Sequence, residues 1–258
     1  MDYATTATLA NDLRALGVTP GGVLLVHSSY RSVGKVFGGP QAVVEALVAV
    51  AGTVVVPTHT PEISDPAAWT NPPVPEPWWE PIRRESPGFD PDRTPASRWM
   101  GRLSELARTW PGALRSNHPQ VSFAAIGPRA AEITAGHALE DNLGERSPLG
   151  AVYRLDGKIL LLGCGYDANT SFHLAETRLP APPMHVTGST VRLPGGGSRW
   201  VTWSEVDVDS SDFDRIGAAF EQDGGATVGK VGAAPVRLMG QRRAVDFARA
   251  WIEENRPA

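Results

Sequence analysis

The sequence predicts an α/β fold, and three observations lead to that prediction. Short apolar runs typical of buried strands alternate with segments whose apolar residues recur at helical spacing. Glycine and proline separate these segments. The chain has 258 residues, of which 41% are hydrophobic, so it can bury one large core. We therefore expect a globular protein with a single domain over residues 1–258.

The first part of the chain predicts two helix–strand pairs followed by an irregular region. Residues 7–16 have helical spacing, and Gly17 ends that helix before a strand at 23–26. Pro40 suits the first turn of a second helix, and a second strand follows at 53–56. Proline and tryptophan then become frequent from about residue 57 to about residue 95. This irregular excursion is too long for an ordinary connection, and long ordered loops are usually functional.

The second part of the chain returns to regular elements. A strand is expected at 121–126, a helix at 129–135 and a strand at 159–162. Residues 185–208 alternate around the sequence Pro194-Gly-Gly-Gly and predict a hairpin. An amphipathic helix at 241–254 closes the chain.

Composition narrows the functional class. The chain has 24 Lys and Arg against 28 Asp and Glu, and this net charge of −4 favours a cationic ligand over nucleic acid. No signal segment or apolar run of membrane-spanning length is evident, so we expect a soluble cytoplasmic protein without a membrane partner. The single cysteine, Cys164, cannot form an internal disulfide, in agreement with a reducing compartment.

Residues 169–176 are the most informative segment, because they place His173 and Glu176 three residues apart. On a helix this spacing puts both side chains on one face, so a proton acceptor and an acid point into the same space. The segment follows a short apolar run that ends at Gly163, which is typical of a buried strand leading to a cleft. We interpret His173 as a catalytic candidate. The alternatives are a histidine in the core or at a helix cap, and a metal hydrolase, for which no third ligand is evident nearby.

A second candidate site is the polar loop at 27–39, between a predicted strand and a predicted helix. It contains three serines, two cations and several glycines, which are groups that bind phosphate well. The loop does not match the P-loop or dinucleotide-binding patterns. The alternative interpretation is a polar connection without a ligand.

Eight segments together resemble the aminoglycoside 3-N-acetyltransferase family. They are 27–34 (His-Ser-Ser-Tyr-Arg-Ser-Val-Gly), 71–79 (Asn-Pro-Pro-Val-Pro-Glu-Pro-Trp-Trp), 89–91 (Phe-Asp-Pro), 108–112 (Arg-Thr-Trp-Pro-Gly), 115–119 (Arg-Ser-Asn-His-Pro), 122–125 (Ser-Phe-Ala-Ala), 147–148 (Ser-Pro) and 169–176 (Asn-Thr-Ser-Phe-His-Leu-Ala-Glu). The resemblance extends over effectively the whole chain. It implies transfer of an acetyl group from acetyl-CoA to the 3-amino group of a 2-deoxystreptamine aminoglycoside, which confers antibiotic resistance.

The resemblance also implies the fold and the partners. The fold would be a sandwich-like mixed sheet with flanking helices and a smaller subdomain over the substrate, distinct from the common N-acetyltransferase fold. Acetyl-CoA would be the cosubstrate and no metal would be needed. Whether the protein is a monomer or a homodimer stays open. Acetylation of another amine, and a CoA- or sugar-phosphate-binding module without turnover, are the remaining alternatives.

Carried over by position, the resemblance implies roles for single residues. His173 matches the general base. Asp207 matches the charge partner of this base, and Glu205 is the alternate partner or a substrate contact. Thr170 would lie near the thioester. The residues expected at the cofactor are His27, Ser28, Ser29, Arg31, Ser32 and Val33 in the polar loop, with Ser122 and Phe123 lining the same channel. A polycationic sugar also favours acidic and aromatic contacts. Those expected are Glu62, Asp65, Trp79 and Glu176, although a tryptophan in the subdomain core is the usual alternative.

The chemistry of the reaction agrees with a histidine base. An aminoglycoside amine is largely protonated at neutral pH, so it must lose a proton before or while it attacks a thioester. Imidazole is the side chain whose ordinary pKa suits that task. A carboxylate beside it would fix the tautomer and stabilise the imidazolium.

Overall fold

The structure is a computed structural model, in which residues 3–193 and 195–256 are described. The strands in this part of the chain are β1 (Val23–Ser28), β2 (Thr53–Pro57), β3 (Leu114–Arg115), β4 (Phe123–Ile126), β5 (Lys158–Leu162), β6 (Met184–Arg192), β7 (Ser198–Val206), β8 (Thr227–Val231) and β9 (Ala234–Gly240). The α-helices are α1 (Thr6–Leu16), α2 (Gly39–Val50), α3 (Trp79–Glu85), α4 (Gly101–Arg108), α5 (Ala130–Thr134), α6 (Pro148–Arg154), α7 (Ser171–Thr177), α8 (Phe213–Gln222) and α9 (Gln241–Asn255).

Seven of the strands form one mixed sheet in the order β3-β4-β2-β1-β5-β9-β8. Strands β2, β1 and β5 are parallel, whereas β4 and β9 run antiparallel to their neighbours. Side chains alternate between the two faces: Leu24 and Val26 pack with α1, α2 and α4, and Leu25 packs with the helices of the opposite face. The predicted mixed sheet with flanking helices is therefore confirmed.

The predicted elements correspond closely to the observed ones. Both early helices, both early strands, the hairpin and the final helix are present within one or two residues of the expected bounds. Pro194, in the predicted hairpin turn, lies outside the described residues. The elements β8, β9, α4, α6 and α8 were not predicted. The sequence around β8 and β9 carries a glycine-rich motif that obscures their alternation.

The irregular excursion at 57–95 packs against the hairpin formed by β6 and β7. Ser64 pairs with Ser189 through the backbone, and Phe89 pairs with Val191. The Thr190 hydroxyl donates to the carbonyl of Arg83 at 3.0 Å. The excursion contains α3 and several single 3₁₀ turns. It has no sheet of its own within the described chain, and the hairpin provides hydrogen-bond partners for part of its backbone.

Arg115 joins this excursion to the main sheet. Its guanidinium donates to the Ser122 hydroxyl at 2.9 Å, to the carbonyl of Thr58 at 2.7 Å and to the carbonyl of Thr94. Burial lowers the pKa of Arg115 to about 10. The side chain is thus a mostly buried cation held by neutral oxygens, and it fixes the excursion over one edge of the sheet.

That edge is where the functional candidates meet. The parallel strands β1, β2 and β5 end there, so His27 in β1, His59 just after β2 and Gly163 just after β5 lie close to one another. Among the described residues, no helix is long and apolar enough to cross a membrane.

Candidate active site

His173 and Glu176 form the centre of the site. Both lie on α7, whose first turn is supported by the Asn169 side chain accepting from the amide of Ser171 at 3.3 Å. The Nδ1 atom of His173 is 2.6 Å from the Oε2 atom of Glu176. A carboxylate can only accept, so Nδ1 carries the proton and Nε2 keeps its lone pair. The described residues offer Nε2 no hydrogen-bond partner, and it is the nitrogen left for a substrate.

Glu176 is held on both sides. Its side chain is 2% exposed. While Oε2 accepts from His173, Oε1 accepts from the amide of Asp209 at 3.0 Å and from the guanidinium of Arg256. This burial contradicts the prediction that Glu176 contacts the substrate. Glu176 is instead the carboxylate partner of His173, a position that the sequence analysis gave to Asp207 or Glu205.

Asp207 and Glu205 belong to a different group on the hairpin. Asp207 lies 3.5 Å from Nδ1 of His185, and its side chain is 64% exposed. Glu205 is buried, accepts from the indole of Trp203 at 2.5 Å and lies 3.7 Å from Nε2 of His185. Burial raises the pKa of Glu205. The predicted pairing of His173 with either carboxylate is therefore wrong, because β6 and β7 direct both towards His185.

Two further histidines lie beside His173. Nε2 of His27 is 3.4 Å from the hydroxyl of Thr170, the residue before α7. Burial and the nearby charge of His173 lower the pKa of His27 to about 3. The pKa of His59 is also lowered to about 3, first by burial and then by His27 and His173. Both rings are therefore neutral at pH 7, and Thr170 and His27 meet near His173, where their predicted roles stay predictions.

The polar loop is anchored to the end of β5. The Ser32 hydroxyl donates to the carbonyl of Gly163 at 3.1 Å and lies 3.3 Å from the Ser29 hydroxyl. Gly163 has a φ of +71°, and a Cβ there would come within 2.5 Å of Ser32, so glycine permits this close contact. Arg31 is exposed, and residues 3–193 and 195–256 provide it with no ion-pair partner. Ser28, Ser29 and Arg31 thus remain available to a ligand, whereas Ser32 holds the loop in place.

Three predicted cofactor contacts are buried. Val33 packs among the apolar residues of α1 and α2, and Phe123 and Ser122 have no exposed surface. The Ser122 hydroxyl donates to the Thr58 carbonyl at 2.9 Å and accepts from Arg115. A residue without accessible surface cannot line a channel, so the structure contradicts the predicted ligand contacts of Ser122 and Phe123. Val33 lines a cleft with Lys35 and Gly232, and its contact with the cofactor stays a prediction. Position in a matching motif does not distinguish a lining residue from one that supports it.

The predicted substrate residues of the excursion lie apart from one another. Asp65 forms a bidentate ion pair with Arg83, with distances of 2.7 and 2.9 Å. The indole of Trp79 donates to the carbonyl of Val74 at 2.9 Å. Glu62 accepts from the Ser97 hydroxyl and lines a cleft of about 400 Å³ with Trp69. Of the two predicted carboxylates in the excursion, Glu62 thus faces a cleft and has no paired cation in the described chain, whereas Asp65 is paired with Arg83.

Arg256 and Asp209 were not predicted as parts of the site. No sequence signal was present for Arg256, since 80 positions separate it from Glu176. His59 was not predicted either, although its position just after a predicted strand is a signal for its place here. Within the described parts of the chain, no three His, Cys, Asp or Glu side chains are grouped so that they could hold a metal ion. Among these residues, no third side chain joins His173 and Glu176 as a possible metal ligand.

The family assignment follows from comparison with known proteins. Residues 25–253 match the family described as aminoglycoside 3-N-acetyltransferase. The chain belongs to this family. Aminoglycoside 3-N-acetyltransferases are acyltransferases, so the predicted enzyme class is confirmed.

Three relatives illustrate how close the similarity is. The SPbeta prophage-derived aminoglycoside N(3')-acetyltransferase-like protein YokD of Bacillus subtilis is 43% identical over 97% of this chain and 93% of its own length. Its crystal structure has a TM-score of 0.96, covering 99% of this chain and 95% of that one. Aminoglycoside N(3)-acetyltransferase VII of Streptomyces paromomycinus is 35% identical, over 97% of this chain and 92% of its own. The structure of AAC-IIIb in a binary complex with CoASH has a TM-score of 0.87 at 32% identity, covering 100% of both chains.

Proposed function

We propose that this aminoglycoside 3-N-acetyltransferase family member transfers the acetyl group of acetyl-CoA to the 3-amino group of a 2-deoxystreptamine aminoglycoside. The reaction would take place in the cytoplasm and confer resistance to the antibiotic. The observation that carries the proposal is the buried bond of 2.6 Å between His173 and Glu176 at the carboxyl ends of the parallel strands. It is the arrangement that an amine acetyltransferase needs for removal of a proton.

In the proposed mechanism, His173 is the general base. Its Nε2 lone pair accepts a proton from the substrate ammonium, which frees the amine to attack the acetyl thioester. The amide C–N bond forms as the C–S bond breaks, and CoA leaves as the thiol after it takes up the proton that the attacking nitrogen loses. Glu176 then stabilises the imidazolium through Nδ1, as the aspartate of a serine-protease triad does. Because Glu176 is already bonded to His173, no rearrangement is needed when the charge appears.

The polar loop suits the cosubstrate. Acetyl-CoA supplies the activated acetyl group, and the chain must bind its phosphates and pantetheine. Arg31 is an exposed cation, and Ser28 and Ser29 lie beside the end of β5. β5 ends eight residues before Thr170 in the sequence. The relative AAC-IIIb was solved in a binary complex with CoASH, which supports CoA as the cosubstrate.

Thr170 is the proposed donor to the oxyanion of the tetrahedral intermediate. Its hydroxyl lies 3.4 Å from a neutral His27, which can accept or donate depending on its tautomer. A hydroxyl positioned in this way can turn towards developing negative charge.

One observation favours a second candidate, the acetylation of a less cationic amine. Asp65 and Glu80 both pair with Arg83, so one of the two negative charges is already offset within the chain. A polycation would find fewer free carboxylates there than the sequence suggests. The relative YokD is described as acetyltransferase-like, which leaves its own substrate unstated.

A thiol-release assay tests both candidates. Purified protein is given acetyl-CoA with a panel of aminoglycosides and with simple primary amines, and the product position is determined by NMR. We expect turnover of at least one 2-deoxystreptamine compound, with acetylation at the 3-amino group, and about a 10²- to 10⁴-fold lower kcat for His173→Ala. Expression in a susceptible host should then raise the inhibitory concentration of that antibiotic. Turnover of simple amines alone would favour the second candidate, and undiminished kcat in folded His173→Ala would refute the base.

A further inference from the structure

Arg256 follows the end of α9 and reaches back to the active site. Its Nη1 atom donates to Oε1 of Glu176, and its Nε and Nη2 atoms donate to the two oxygens of Asp212 at 2.8 and 2.7 Å. Nη2 also donates to the carbonyl of Asp209 at 2.8 Å. The guanidinium therefore joins the carboxylate of α7 to the start of α8.

This contact completes the coordination of a buried carboxylate. Glu176 has only two oxygens, and one of them is occupied by His173. Burial of a carboxylate is costly unless its remaining lone pairs are satisfied by donors. Arg256 supplies the only side-chain cation on that second oxygen among residues 3–193 and 195–256, and the planar guanidinium fixes the direction in which Glu176 points.

We propose that Arg256 is a positioning residue for acetyl transfer, which acts by holding Glu176 in the geometry that orients His173. The inference rests on the proposed role of His173 as general base. It concerns a residue beyond the segment that matches the family, since that segment ends at residue 253. Arg256 contacts neither of the reacting groups and acts only through Glu176.

The charges around the pair decide the expected pH effect. His27 and His59 face His173 from β1 and from the end of β2 as neutral rings. Asp209 and Asp212 face Arg256 from the segment before α8. The hydrogen bonds to Asp212 and Glu176 raise the pKa of Arg256, so it remains a cation.

Arg256 therefore keeps the carboxylate in place against Nδ1 of His173. Without it, Glu176 would stabilise a protonated His173 less well. The acid limb of the profile of kcat/KM against pH should then move to lower pH. A residue that served only the fold would lower activity equally at every pH.

The test compares Arg256→Ala and Arg256→Lys with Arg249→Ala. Arg249 is the matched control, because it lies on α9 and pairs with Glu253 at 3.0 Å far from His173. We expect kcat of Arg256→Ala to fall by about ten-fold or more, with little change in either KM and an acid limb shifted to lower pH. Arg256→Lys should keep part of the rate, since lysine retains the positive charge but cannot donate from several fixed directions as a planar guanidinium does. Arg249→Ala should behave as wild type.

A double variant and a spectroscopic measurement exclude an indirect effect. In a His173→Ala background, Arg256→Ala should cause no further loss, because Arg256 has no base left to orient. In the ligand-free protein, the Nδ1 proton of His173 should give a protected NMR resonance that weakens in Arg256→Ala and is preserved in Arg249→Ala.

These readouts distinguish the two proposals. If wild type acetylates no amine but the Nδ1 resonance still depends on Arg256, the proposed function fails and the positioning role stands. Unchanged kcat and pH profile in Arg256→Ala would overturn the positioning role. An equal further loss in the His173→Ala background would do the same. If Arg256→Ala does not fold, the Arg256→Lys variant decides: a wild-type acid limb together with a wild-type Nδ1 resonance would refute the proposal.

Discussion

Two histidine–carboxylate groups of this chain differ in what their surroundings allow. On α7, His173 and Glu176 are 2.6 Å apart, and the carboxylate is 2% exposed. On the hairpin, His185 lies between Glu205 at 3.7 Å and Asp207 at 3.5 Å, and its own side chain is 39% exposed. The residue types are the same, but only the first group has a short bond shielded from water.

The difference shows that burial and spacing, rather than residue type, decide which histidine can be oriented. A helix brings residues three apart onto one face at bonding distance. In the hairpin, His185 and Glu205 are directly opposite each other in the strand register, but they stay 3.7 Å apart and His185 is 39% exposed. His185 and Asp207 are both exposed, and such a pair contributes little orientation because water competes for both partners.

The largest expected effect concerns the carboxylate of the first group. Glu176→Gln should lower kcat by about 10²- to 10⁴-fold, because the amide cannot stabilise the imidazolium and favours the wrong tautomer. Asp207→Asn should change kcat by no more than about two-fold, as expected for an exposed group. Steady-state kinetics of both variants with one accepted amine measures the contrast.

Thermal unfolding of each variant provides the control, since Glu176→Gln also faces Arg256. Comparable losses in the two folded variants would contradict the distinction between the groups. A larger loss in Asp207→Asn would return the role of charge partner to the hairpin.

A smaller effect is expected on stability in acid. The pKa values of His27 and His59 are lowered to about 3 and that of His118 to about 4, mainly by burial. The unfolded chain therefore binds more protons than the folded one below about pH 6.5, and stability falls as the pH decreases. From pH 7 to pH 5.5, the three rings together should cost about 4 kcal/mol of unfolding free energy, a large share of the roughly 5–15 kcal/mol typical of a protein.

Urea unfolding at several pH values measures this loss. Burial also lowers the pKa of His137, so the slope should correspond to uptake of about four protons on unfolding near pH 5.5. His118→Gln should reduce the slope by about one proton, because burial lowers the pKa of His118 to about 4. A slope of less than one proton in wild type would show that the buried rings are accommodated as cations.

The smallest effect is expected for substrate affinity at the hairpin group. If exposed Asp207 attracts a cationic amine, the KM for that amine should rise with salt, because the Debye length shrinks to roughly 3 Å at 1 M. Asp207→Asn should raise KM at low salt by a few-fold, about 1 kcal/mol or less, and flatten the salt response. An identical salt response in wild type and Asp207→Asn would mean that the cation is recognised elsewhere.

Much of the fold could be predicted because its signals are local. Helical spacing and Gly17 defined α1, and a short apolar run defined β5. The hairpin followed from alternation around its glycine-rich turn. The antiparallel pairing of β5 with β9 could not be predicted in this way, since strand order depends on contacts between distant segments.

The candidate site shows the same division. Local spacing placed His173 and Glu176 on one face, and that observation was correct, whereas position within the family motifs suggested Asp207 instead. Ser122 and Phe123 were assigned to the cofactor by their place in motifs, but packing directs them into the core. Which residues of a motif are accessible depends on the layers above and below them.

The sequence by itself thus determined the fold class, most of the early elements and the histidine–carboxylate pair of α7, because helix and strand periodicity act between neighbours. Only the tertiary structure decided that His27 and His59 meet at this pair and that Arg256 holds Glu176 from 80 positions away. Those contacts require β1, β2 and β5 to end at one edge and α9 to pack against α7. The free energy that stabilises these contacts comes from burial of the whole core, and no single segment could supply it alone.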